Sequence, residues 1–275
     1  LRVIAAPPKG SPFEISPIME NAMASAPTQN ALPLFYNDLV PLNSDEHQTW
    51  KARTTDKATW IANANAIPLT VEEFPLAQRD YPIVFSAGPD PVPLALMGLN
   101  DGVNVFVDAD GTVGDVYVPA YVRRYPFMLA KLREDTNELS LCFDPQSGLI
   151  GEFEDGASLF DGDKPSEACV STLKFCEQFE IAGQKTAAFV RELKKHDLLT
   201  DGELTLKTES MDKPFVYRGF QMVEEKKLRE LRGDVLRSWN QNGLLPLIFA
   251  HLFSLSLVTE VFGKQQQQGK SPVLA

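Results

Sequence analysis

The sequence predicts an α+β fold, strand-rich over about residues 31–165 and mainly helical over about 166–262, packed as one compact unit. Three observations point that way. Prolines crowd the first part, at 41, 68, 75, 82, 89, 91, 93, 119 and 126, and proline breaks long helices. The stretch Asp108-Ala109-Asp110-Gly111 lies between the β-rich runs Asn104–Val107 and Val116–Val118, which is a hairpin signal. From Ser166 onward, apolar residues recur at helical spacing.

Taken in order, residues 1–30 are rich in Pro, Ala and Ser, and read as an irregular arm. A helix is expected within 45–65, where EHQTWKA has no breaker. Tyr81–Ser86, YPIVFS, suits a buried strand. Ser166 can cap a helix to about Ile181, placing Val170, Leu173 and Phe179 on its apolar side, and Gly183 ends it. A second helix follows over about Thr186–Lys195, then a short β pair near Leu204–Thr208 and Phe215–Met222. Glu224–Trp239 reads as one or two amphipathic helices, and Leu244–Phe262 as the last helix. A single domain over 31–262 and a flexible tail over 263–275, opening on a Gln-rich run, complete the expected organisation.

The chain carries 26 Lys/Arg against 37 Asp/Glu, a net charge of −11. Such a field repels phosphate backbones, so no nucleic-acid partner is expected. Leu244–Phe262 is nearly long enough to span a bilayer, but it contains Pro246, His251 and Glu260. It is therefore read as a buried core helix, with no membrane span. Leu1–Pro12 lacks a charged stretch followed by a long apolar run, so a cytoplasmic location is expected. Cys142, Cys169 and Cys176 are expected to be reduced and mostly buried.

Five segments occur in a familiar order. They are LPLFYNDLVPLNSDEH (32–47), AIPLTVEEFPLAQRDYPIVFS (66–86), MGLNDGVNVFVDADG (97–111), YVPAYVRRYPFML (117–129) and GLLPLIFAHLFSLSL (243–257). With these segments the chain resembles the SapC family of bacterial proteins over roughly residues 31–262. YVPAYVRRYPF and the YPIVF run are the most specific parts. The resemblance implies relatives encoded beside cupin-like proteins, flavin-dependent halogenase-like proteins and outer-membrane receptors. It carries over no catalytic residue.

Familiar chemistry is missing from the sequence. There is no G-x-G-x-x-G, no G-x-x-x-x-G-K-[ST], no G-x-S-x-G and no H-E-x-x-H. Cys169 and Cys176 are too widely spaced for a C-x-x-C ligand pair. Asp108, Asp110 and Asp115 miss the EF-hand register and are explained by a turn. No metal and no cofactor is expected.

Arg123 and Arg124, between Tyr121 and Tyr125, are the most informative pair. In a strand they would face opposite sides. One could then bind a carboxylate or phosphate while the tyrosines wall the pocket. The competing reading is an internal salt bridge to Glu72, Glu73 or Asp80. His47 follows Asp45 and Glu46 at a helix start, where a capping or surface role competes with a role as base or ligand. His251 lies on the apolar last helix. A hydrogen-bonded core histidine, partnered by Glu72, Glu73 or an arginine, competes there with catalysis. His196, in the charged helix end KKHD, is assigned no chemistry.

The expected function is a non-enzymatic accessory or binding protein. It would present an interaction surface, or a small pocket for an anion, amino acid or peptide. Its partner would be a cupin-like or halogenase-like protein encoded nearby. An enzyme acting on amino acids or peptides, with His47, His251, Glu72 and Glu73 as catalytic candidates, is the alternative. A surface-layer-associated structural protein is the second.

Overall fold

A computed structural model describes residues 32–132, 138–206 and 214–270. The expected N-terminal arm lies outside them, as do Lys207 and Thr208 of the expected β pair.

The fold is α+β. The first strands are β1 Val40–Pro41, β2 Lys51–Ala52, β3 Ala66–Pro68, β4 Ile83–Ser86 and β5 Pro93–Leu96. Next come β6 Phe127–Lys131, β7 Leu139–Phe143, β8 Ile150–Gly151, β9 Ala157–Ser158, β10 Phe160–Asp161 and β11 Lys164–Pro165. The last are β12 Leu199–Asp201, β13 Leu204–Leu206, β14 Phe215–Tyr217 and β15 Phe220–Val223. The helices are α1 Ser44–His47, α2 Phe74–Ala77, α3 Ala120–Arg124, α4 Glu167–Lys195, α5 Glu225–Arg229, α6 Gly233–Gln241, α7 Leu244–Ser254 and α8 Val258–Gln267. Every strand pairing among the described residues is antiparallel.

Within the chain, two compact units can be described. The first takes the described residues up to Asp56 together with Arg123–Gln184. The second takes Lys57–Val122 and the described residues from Lys185.

In the first unit, three sheets run in the orders β1-β7-β6, β8-β2-β9 and β10-β11. Leu42, Phe127, Leu141, Phe143, Ile150, Leu159, Cys169 and Cys176 fill its core, with Trp50 and Leu173 packed against it. The expected helix within 45–65 shrinks to Ser44–His47, capped by Asn43, whose Oδ1 accepts the Glu46 N–H. Pairing overrides local propensity here: β2 takes up Lys51–Ala52 and bonds to β8 on one side and β9 on the other.

The second unit is built on a five-stranded sheet in the order β12-β15-β4-β5-β3, with β13-β14 as a separate hairpin. The Asp108–Gly111 turn forms, closed by Gly111 N–H to the Asp108 carbonyl (2.9 Å). Its expected strands do not form; Val107 and Val113 make an isolated bridge, flanked by Gly114 N–H to the Phe106 carbonyl (3.0 Å) and Asp108 N–H to the Thr112 carbonyl (2.9 Å). The Asn104 carboxamide explains this. Its Oδ1 accepts the Phe106 N–H and its Nδ2 donates to the Ile61 carbonyl, which draws the local backbone out of a ladder.

Ser166 caps α4 as expected, its Oγ accepting the Cys169 N–H (3.1 Å). Gly183 does not end the helix; α4 runs unbroken through it. A helical glycine costs only about 1 kcal/mol relative to alanine. Burial of Phe179 and Ala182 before it, and of Phe189, Val190 and Leu193 after it, outweighs that. At the far end, α8 continues to Gln267, beyond Phe262, where the last helix is expected to end. Buried Gln265 holds it, with Oε1 accepting the Leu99 N–H (2.6 Å) and Nε2 donating to Asn100 Oδ1 (2.8 Å).

Candidate functional site

Helix α7 begins after Gly243, which sits in the left-handed region (φ 79°) and turns the chain out of α6. Its sequence LLPLIFAHLFS is apolar around nearly the whole circumference. One side, with Ile248, His251 and Ser254, is buried in the second unit. The other side is not covered by the described residues. Phe253 is 68% exposed, Pro246 is exposed, and Leu245, Phe249 and Leu252 are partly so. Phe249 and Phe253, one turn apart, stack at 5.7 Å between ring centroids. The expected buried core helix is thus buried on one side. Leu244–Gln267 is also a 24-residue run long and apolar enough to cross a membrane by length and composition.

The buried side of α7 locks onto the sheet through two polar groups. His251 is fully buried. Its Nδ1 lies 2.7 Å from the Ile83 carbonyl, and its Nε2 accepts the Val223 N–H at 3.1 Å. A carbonyl can only accept, so the proton sits on Nδ1 and the ring is neutral. Burial pushes its pKa down to about 4. Ser254 Oγ accepts the Ile83 N–H (2.8 Å) and donates to the His251 carbonyl (2.7 Å). The expected carboxylate or arginine partner of His251 is thus replaced by backbone.

Glu72 and Glu73 separate in role. Glu72 is exposed and ion-pairs with exposed Lys185. Glu73 is buried and accepts four hydrogen bonds. Thr70 gives its N–H and hydroxyl to Oε2 (2.8 and 2.9 Å), while Ala120 N–H (2.6 Å) and the Tyr117 hydroxyl (3.1 Å) reach Oε1. Asp80 and Tyr81 clasp the same loop. Asp80 Oδ2 accepts the Tyr117 N–H, and the Tyr81 hydroxyl donates to the Tyr117 carbonyl. The segment around VEEFPLAQRDY therefore holds the start of YVPAY.

Arg123 and Arg124 lie on α3, not on a strand, so they do not alternate between faces. Arg123 is exposed, 5.3 Å from the Phe175 ring. Arg124 is buried, 4.3 Å over Phe179 and 5.8 Å from Tyr36, with Glu180 Oε1 at 3.5 Å. The salt bridge is real, but its partner is Glu180, not Glu72, Glu73 or Asp80. Tyr121 is buried. Tyr125 stacks edge-on against Tyr36 and donates to buried Asp144, which also accepts the Asn37 and Gln146 N–H groups. His47 is buried rather than superficial, with its ring edge-on to Trp50 (4.6 Å) and Phe143 (5.2 Å) and its Nδ1 beside the Asn43 backbone.

The residues named from sequence are divided between the two units. His47, Arg123, Arg124 and Tyr125 belong to the first unit, and Glu72, Glu73, Tyr121 and His251 to the second. No group of three or more His, Cys, Asp or Glu side chains among the described residues could hold a metal ion. Sequence reasoning missed Phe249 and Phe253. The available signal was the excess of apolar residues in LLPLIFAHLF, more than one buried face can use.

No curated protein and no solved structure compared with the chain matches it. A protein-family model, SapC, matches residues 42–261. That match spans both units and takes in both α7 and the loop held by Glu73, and on it the chain belongs to the SapC family.

Proposed function

We propose that this SapC-family chain is a non-enzymatic accessory or binding protein that presents the uncovered side of α7 to a protein partner. The stacked pair Phe249–Phe253, flanked by partly exposed Leu245 and Leu252, is the observation that supports it. Aromatic anchors of this kind dominate protein interfaces, and an apolar helix face suits a groove. The net charge of −11 argues against anionic lipid or nucleic acid as the occupant. The partner that fits is a protein with an apolar groove rimmed by basic residues. The cupin-like and halogenase-like proteins encoded beside SapC-like chains are the first candidates.

A small-anion pocket at Arg123 and Arg124 is less favoured, because Arg124 is enclosed by Phe179 and Tyr36 and faces Glu180. An enzyme at His47 or His251 is less favoured because both rings pack inside their units.

The test is a titration of the purified neighbouring gene products against the wild-type chain and Phe253→Asp. A complex weakened about 30-fold by the substitution is expected, the usual effect of losing a hot-spot aromatic. Binding that ignores Phe253→Asp, or binding to lipid vesicles in place of any of these proteins, overturns the reading.

A further inference from the structure

Strands β4 and β15 pair at Phe220↔Ser86 and Gln221↔Phe85. The same register, carried two residues further, sets Val223 opposite Ile83. Backbone groups alternate along a strand, and the Glu224 N–H turns towards Leu198 next to β12. The Val223 N–H therefore faces β4. It does not reach Ile83. His251 stands in the gap, accepting from Val223 and contacting the Ile83 carbonyl, while Ser254 takes the Ile83 N–H. Two side chains of α7 occupy the place of the next ladder rung.

The geometry points to a two-state seam: plugged by α7 when the helix is docked, and zipped directly between Ile83 and Val223 when the helix leaves. Zipping would form Val223 N–H to the Ile83 carbonyl and Ile83 N–H to the Val223 carbonyl. The backbone groups that α7 satisfies would then find partners without it, so releasing the helix strands none of them. Joints flank the helix. Gly243 lies before it, with open space where a Cβ would stand, and the 3₁₀ turn Leu255–Leu257 follows it. Reburial of Ile248 and Ala250 opposes release and sets the docked state as the resting one. For its purpose this inference rests on α7 being the binding element; release would offer a partner both sides of the helix.

Native-state hydrogen exchange on the full wild-type chain, over low denaturant concentrations, tests it. The amides of Ile248, Ala250 and Leu252 should exchange through one shared partial opening. Those of Ile83 and Val223 should stay at least ~10-fold better protected through that opening. Exchange of Ile83 and Val223 in the same opening as α7 overturns the inference. The double variant His251→Ala, Ser254→Ala gives a second reading where it folds. Protection of both amides is expected to fall no further than the variant's loss of global stability, read from urea unfolding, accounts for, to within ~10-fold; a loss at both that exceeds it by ~100-fold or more overturns the inference. Partner binding is scored separately with Phe253→Asp. Binding without an independent opening of α7 removes the seam alone, and an independent opening without binding removes the function alone.

Discussion

His251 takes the backbone N–H of Val223 at 3.1 Å, so a side chain on α7 does the work of a neighbouring strand. The bond needs an unprotonated Nε2, which gives a pH dependence of definite sign. Burial lowers the pKa of this imidazole from 6.5 to about 4. Between those values the unfolded chain binds the proton and the folded chain does not. The contribution is therefore fully present above pH 6.5 and is lost as pH falls towards 4, by about 3 kcal/mol in all. Carboxylates also titrate as pH falls, so the measurement is a difference: denaturant midpoints of wild type and His251→Ala between about pH 7.5 and 4. The gap between the two should narrow as pH falls. A constant gap would mean that His251 is not held neutral.

Glu73 sits under four donors, and that fixes what a conservative change does. In Glu73→Gln, whichever way the amide lies, its NH2 meets groups that donate: Thr70 N–H and hydroxyl on one side, Ala120 N–H and Tyr117 hydroxyl on the other. The hydroxyls can rotate to accept, but the N–H groups cannot. Glu73→Gln should therefore cost about 2–4 kcal/mol, close to Glu73→Ala. Glu72→Ala should cost less than about 0.5 kcal/mol, since Glu72 and Lys185 are both more than half exposed. Chemical denaturation of the three variants checks the ranking.

Arg124 and Arg123 should differ in the same way. The Arg124 guanidinium is a flat plate over Phe179, almost completely enclosed, with Glu180 at its edge. A lysine ammonium keeps the charge but loses the plane and the stacking. Arg124→Lys should lower stability by about 2–3 kcal/mol, measured by urea unfolding. Arg123→Ala, at an exposed position, should change it by about 0.5 kcal/mol or less.

Much of the local grammar was legible in the chain. The Ser166 cap, the YPIVF strand, the Asp108–Gly111 turn and the β pair after Asp201 follow from short-range rules, and each is found. The errors share a cause. Gly183 looks like a stop because propensity is local, whereas burial on both sides of it is not. Arg123 and Arg124 read as strand residues because prolines surround them, yet α3 packs them into a short helix. Glu180 as the partner of Arg124 lies 56 residues away, and no spacing rule reaches that far. His251 was legible as a satisfied core histidine but not as a plug between two strands, because the register of β4 on β15 is a property of the assembled sheet. The same holds for the surface: an apolar helix announces burial, not which of its sides is left uncovered.

The turn at Gly111 offers the last check on how the second unit is held. Gly111 has φ +85°, and a Cβ there would stand 2.7 Å from Thr59 Cγ2 and 2.8 Å from the Thr59 backbone nitrogen. Backbone cannot swing aside as a side-chain tip can. The Gly111 carbonyl also accepts the Ala58 N–H at 2.7 Å, so any shift of the turn loses that bond too. Gly102 is the matched control, with φ +78° and nothing within 4 Å of its would-be Cβ. Gly102→Ala should cost only the left-handed backbone penalty, about 1–2 kcal/mol. Gly111→Ala adds the clash and should cost about 3 kcal/mol or more. Equal losses at the two positions, read from urea midpoints, would mean that the turn does not rest on Thr59.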